Sequence, residues 1–156
     1  MNYLLDVNVL LAWGWADHTE HGRAASWIAA VKSQPGVKLL TSSIPELGFV
    51  RVSVQRTIGQ LTVPVAAQTL AGMLKSLGKR HEFLPDDLSS TSAWPAWCGA
   101  ASRTTDSHLL TLASNHGANL ATLDSGIPGA FILPHPISDE QDPTDQGGES
   151  SGSSPK

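Results

Sequence analysis

Five brief, mostly apolar segments, at residues 3–5, 38–41, 82–84, 119–122 and 130–133, alternate along the chain with stretches of helical period. Each segment is too short for a helix and is bounded by polar or turn residues, which suits buried strands. Between them, Ala24, Trp27, Ile28 and Val31 fall at i, i+3, i+4 and i+7, as do Leu70, Met73, Leu74 and Leu77. Ile44, Leu47, Val50, Val54 and Ile58 approximate the same stripe, and Leu109, Leu112, Ala113 and His116 complete a shorter one. Gly78 and Gly117 stand where helix C-caps are expected. Strands alternating with helices imply right-handed crossovers and a central parallel sheet flanked by helices on both faces, an α/β fold. In such a sheet, ligands bind beyond the carboxyl ends of the strands, where strand order reverses.

Residues 1–137 are expected to form one domain. Residues 138–156 hold no aliphatic or aromatic side chain, so ordering them could not be offset by apolar burial, and a disordered tail is expected. That tail carries five acids against Lys156, which accounts for the whole net charge of -4. Residues 1–137 therefore balance, with nine acids and nine Lys or Arg. The balance removes bulk repulsion of phosphates and also excludes a broad basic surface, so a nucleic-acid substrate would be held by local contacts and bound metal. A single cysteine, Cys98, excludes an internal disulfide and fits a reducing cytoplasm. The apolar run near the start is interrupted by Asp6 and Asn8, so neither a signal peptide nor a membrane span is expected.

Four acids sit at predicted strand ends or first helical turns. Asp6 directly follows the first strand in LLDVNVLL, with Asn8 beside it. Glu46 lies in SSIPELGFVRV, Asp106 in RTTDSHLL and Asp124 in LATLDSGIPG. Each has an ordinary structural explanation. Asp6 or Asn8 could cap a helix, Glu46 could close a capping box with Ser43, Asp106 could complement the dipole of a helix capped by Thr104 or Thr105, and Asp124 could be a turn residue. In this architecture, however, all four face one sheet edge. Four carboxylates gathered there repel one another unless a cation lies among them. An all-oxygen site selects a hard ion, Mg²⁺ or Mn²⁺, over zinc.

The ordered set LLDVNVLLAW, SIPELGFVRV and TTDSHLLTLASNHGANLATLD resembles the PIN domain family, and within it the VapC-type ribonuclease toxins of bacterial toxin-antitoxin modules. The resemblance covers roughly residues 1–136. It implies that Asp6, Glu46, Asp106 and Asp124 match the family's acidic positions, with Asn8 as a supporting neighbour. It further implies a Mg²⁺-dependent endoribonuclease that leaves a 5′-phosphate and a 3′-hydroxyl, a homodimer, and inhibition by a cognate antitoxin protein. On this reading Asp6 and Asp106 are the chief metal ligands, while Glu46 and Asp124 position water or ligate a second ion.

Arg51, Arg56 and Arg103 are the cations nearest these motifs and are candidates for phosphate contact, Arg103 foremost because it precedes the Asp106 helix. Trp13 and Trp15 could stack on RNA bases or line a protein contact, whereas Trp94 and Trp97 in SAWPAWCG are expected to pack over the core. His108 lies about 200° round the helix from Asp106 and should point away from it. Two rival readings share the fold. A phosphoryl-accepting signalling module would need acids beside Asp6 and a lysine near the last strand, but no lysine lies between Lys79 and Lys156. A non-catalytic RNA-binding or protein-interaction domain is separated from an enzyme only by assay.

Overall fold

The computed structural model describes residues 1–91 and 94–137. The acidic segment 138–156, expected to be a disordered tail, lies outside the described residues. β1 (Asn2–Leu5), β2 (Lys38–Thr41), β3 (His81–Phe83), β4 (Ala118–Thr122) and β5 (Phe131–Ile132) form one sheet in the order β3-β2-β1-β4-β5, with every neighbouring pair parallel. The chain steps outward from β1 to β2 and β3, then returns to the other side of β1 for β4 and β5. The reversal of strand order therefore falls between β1 and β4. Asp6 and Asp124 lie just past the carboxyl ends of those two strands.

Alternation along the strands divides the core in two. Leu5 and Leu39 point to one face, where they pack with Val9 and Leu10 of α1 (Val7–Gly14), Trp27 and Ile28 of α2 (His21–Lys32), Phe49 of α3 (Ser43–Arg56) and Leu70 of α4 (Val63–Leu77). Leu4, Leu40 and Leu120 point to the other and meet Leu109 and Leu112 of α5 (Thr104–Asn115). Each of these buried leucines contributes roughly 1.5–3 kcal/mol relative to exposure. Gly78 and Gly117 follow α4 and α5 with φ of +55° and +65°, positive values that glycine adopts without a Cβ penalty. Among the described residues no helix is long and apolar enough to cross a membrane.

Two local expectations need correction. The inward stripe of α3 is Pro45, Phe49 and Ser53, whereas Leu47 is 68% exposed and Ile58, beyond the helix with φ +53°, is 94% exposed. α3 is apolar on more than one side, and packing against α1 and α4 selects the stripe that holds Phe49. The expected caps also differ. Ser42, not Ser43, precedes α3, and its hydroxyl donates to the Leu84 carbonyl at 2.7 Å, so no capping box forms. α5 continues from a 3-10 turn, Ala101–Arg103, and Thr104 donates to Ala101 O at 2.8 Å instead of capping.

Gly48 lets α3 approach the first turn of α1. A Cβ there would lie 2.6 Å from Val7 Cγ2, and Val7 is β-branched, with little rotamer freedom to move aside. Alanine would gain about 1 kcal/mol of helix propensity, but overpacking of this kind costs about 1–3 kcal/mol. Gly48→Ala is therefore expected to lower the melting temperature by a few degrees, as read by a thermal melt; an increase would mean the two helices separate freely.

Candidate active site

Asp6 directly follows β1 and serves as N-cap of α1. Its Oδ1 accepts the Val7 N–H at 2.7 Å and its Oδ2 accepts the Thr122 hydroxyl at 2.8 Å. The residue is 3% exposed. Burial raises its pKa above the usual aspartate value, the two donors oppose that rise, and the charges of Asp106 and Asp124 add to it. Asp106, in the first turn of α5, is half-buried. Its pKa is also raised, first by burial and then by Asp124, with Arg103 opposing. Three acids from three elements thus share one field at the switch point of the sheet. Asp124 is exposed in the turn after β4, where its Oδ1 accepts the Gly126 N–H at 2.8 Å.

Thr122 ties this edge together. Its hydroxyl donates to Asp6 and accepts from Asn8 Nδ2 at 3.0 Å and from the Asp124 N–H at 3.1 Å. Asn8 Oδ1 takes the Leu123 N–H at 3.1 Å, so Asn8 clamps the start of α1 to the end of β4. Sequence reading singled out Asn8 and missed Thr122. The available signal was a polar β-branched residue closing an otherwise apolar strand, immediately before an acid; Thr41 closes β2 in the same way.

Glu46 has different neighbours. Its Oε1 accepts the Thr41 hydroxyl at 2.6 Å, and Thr41 also meets His81 Nε2 at 2.7 Å. The charges that raise Asp6 are those of Asp106 and Asp124. The structure therefore groups Asp6, Asp106 and Asp124 directly and holds Glu46 from the β2–β3 side.

Of the candidate cations, Arg103 lies closest to the acids. It donates to Gly126 O at 2.5 Å and sits 6.0 Å from the centre of the Trp97 ring. Arg51 is exposed on α3, lining a groove with Val7, Leu47 and Thr105. Arg56 is engaged elsewhere, paired with Asp17 at 2.7 Å and lying over Trp15. Trp15 also donates to Ser53 Oγ at 2.9 Å and stacks near Phe49, so its ring is spoken for by the fold. Trp97 packs on the second core cluster, as expected, while Trp94 is exposed. His108 points away from Asp106 and pairs with Asp86 at 2.7 Å.

Among the described residues, no lysine or arginine forms an ion pair with any of the four acids. Nor, among the described residues, do three or more His, Cys, Asp or Glu side chains stand in a group that could hold a metal ion by themselves. The mutually repelling carboxylates of Asp6, Asp106 and Asp124 fit a hydrated hard cation, since Mg²⁺ keeps several waters and takes only one or two carboxylates. Such a set does not fit a four-coordinate zinc site. With one ion held, the edge could activate water against a phosphodiester.

The chain is similar to several proteins of Mycobacterium tuberculosis. It is 37% identical over 132 residues to Ribonuclease VapC39, covering 81% of this chain and 91% of that protein. It is 35% identical over 125 residues to Ribonuclease VapC38, covering 80% and 86%. With Ribonuclease VapC29 it shares 37% identity over 127 residues, covering 81% and 89%. No protein-family model matches the chain.

Proposed function

We propose, from the premise that this chain belongs to the VapC ribonuclease family, that it is a Mg²⁺-dependent endoribonuclease whose hydrolytic site is built from Asp6, Glu46, Asp106 and Asp124. The observation that carries the reading is the buried Asp6 carboxylate, gripped by two donors yet raised by burial and by two neighbouring acids. A site that holds a carboxylate so firmly while crowding it with like charge is stabilised by a cation.

Asp6 and Asp106 would hold the ion, with Mn²⁺ as a substitute for Mg²⁺. When bound, the ion supplies Lewis acidity, drawing charge from the scissile phosphodiester and making water a better nucleophile. The remaining work falls to the chain. Thr122 and the Val7 N–H fix Asp6 and favour its ionised form against the burial that raises its pKa. Glu46 and Asp124 orient the attacking water in line with the leaving 3′-oxygen, giving a 5′-phosphate and a 3′-hydroxyl. Arg103, braced on Gly126 and Trp97, faces incoming phosphate, and Arg51 extends that contact along the groove.

The protein acts in the cytoplasm as the toxic member of a toxin-antitoxin pair and forms a homodimer. The apolar surface around exposed Leu47, continued by half-buried Val50 and Leu74, supports a protein partner on this face. The direct test incubates purified protein with RNA in Mg²⁺, in EDTA, and as the Asp6→Asn variant. Cleavage should require Mg²⁺ and vanish in the variant; cleavage persisting in either control would overturn the assignment.

A further inference from the structure

The hydrogen bonds at Glu46 form a directed chain. Thr41 is completely buried at the end of β2, so its hydroxyl must find partners within the protein. A hydroxyl carries one proton and an ionised carboxylate can only accept. The proton of Thr41 therefore goes to Glu46 Oε1, 2.6 Å away, and the threonine oxygen must accept from His81 Nε2, 2.7 Å away. This fixes the His81 ring as the Nε2–H tautomer. Burial lowers the pKa of His81, opposed in part by Glu46 and Glu82, which favours a neutral ring with a single N–H committed to Thr41.

We propose that Thr41 and His81 are positioning residues that aim Glu46, holding its Oε1 so that Oε2 is the oxygen presented to the water at the reacting phosphate. This rests on the reading that Glu46 belongs to the hydrolytic site. The backbone supports it. β2 and β3 pair in parallel with Leu39 opposite His81 and Thr41 opposite Phe83, so the two-residue repeat puts Thr41 and His81 on the same face of the sheet. Glu46 enters from the first turn of α3, four residues after Ser42, where the chain leaves β2. The three groups come from a strand, its neighbour and the helix between them, so the alignment is set by the sheet and not by a loop.

The rival account is that Thr41 only fills space at the strand end. Valine fills the same space without the hydroxyl, and serine keeps the hydroxyl without the methyl, so the two variants separate the accounts. In the full chain, long-range ¹H–¹⁵N correlation should report the Nε2–H tautomer for His81 in the wild type and its loss of preference in Thr41→Val. With a short RNA and Mg²⁺, Thr41→Val and His81→Leu should lower kcat by about tenfold to a hundredfold, with KM held within about twofold. Thr41→Ser, and His81→Gln with an amide nitrogen near the position of Nε2, should recover most of that loss. An Nδ1–H ring in an active wild type, or wild-type kcat in Thr41→Val, would overturn the relay. So would equal losses in Thr41→Ser and Thr41→Val at unchanged melting temperature. A wild-type chain that cleaves no RNA overturns the site reading and with it the aiming role, a result the tautomer measurement keeps distinct from a broken hydrogen-bond chain.

Discussion

Asp106→Asn is expected to lose RNA cleavage by at least about a hundredfold, while its metal-free form melts above the wild type. The two effects share one cause. Among the described residues none donates a side-chain hydrogen bond to Asp106 that would reward its charge, and burial and Asp124 both push its pKa up, with Arg103 opposing. A carboxyl group whose pKa is higher folded than unfolded binds its proton more tightly in the fold. The stability it contributes is full below the unfolded value, near 3.8, and is lost as pH rises through the raised folded value. At neutral pH without metal the ionised group is therefore a strain, and asparagine removes it. Each kcal/mol relieved corresponds to about 2–4 °C in a chain of this size. The gain should be present at pH 7 in EDTA and should fade toward pH 3.5, where the wild-type group is protonated. A variant that melts lower at both pH values would mark Asp106 as a structural group. Asp6→Asn is a less clean probe of strain, because the Asp6 carboxylate also caps α1 and accepts from Thr122, and losing a cap costs about 1 kcal/mol.

Saturating Mg²⁺ is expected to raise the melting temperature of the RNA-free wild type by about 5–10 °C. An ion present at a hundredfold over its dissociation constant stabilises the fold that binds it by about 2.7 kcal/mol, and the same conversion gives that range. The shift should be absent in Asp106→Asn and largely absent in Asp6→Asn, because each removes a charged ligand. Scanning calorimetry at fixed ionic strength separates this from general screening, which would act on all three proteins alike. An equal shift in the variants would mean that the ion stabilises the protein somewhere other than this edge.

Much of this was legible in the sequence, and the rest was hidden for identifiable reasons. Strands and helices announced themselves because short apolar runs bounded by polar residues and the 3.6-residue period are local properties, and Gly78 and Gly117 marked helix ends by the conformation that only glycine adopts cheaply. Asp6, Asp106 and Asp124 could be brought together because a parallel sheet sends every carboxyl end the same way. The burial of α3 was not legible, since a helix apolar on several sides does not say which neighbour will cover it, and Phe49 rather than Leu47 went inward. Nor could local sequence show that Ser42 would be drawn to Leu84, 42 residues away, or that Thr41 would meet His81, 40 residues away. Thr122 escaped notice for the same reason, as its partner Asp6 lies 116 residues earlier.

The direct measurement is an anomalous difference map from crystals grown with Mn²⁺. The peak should lie between the carboxylates of Asp6 and Asp106, within reach of Asp124, and should vanish in Asp106→Asn crystals grown the same way. A peak bound elsewhere on the chain, or an edge that stays metal-free at Mn²⁺ concentrations that support cleavage, would contradict the claim that these acids share one divalent cation.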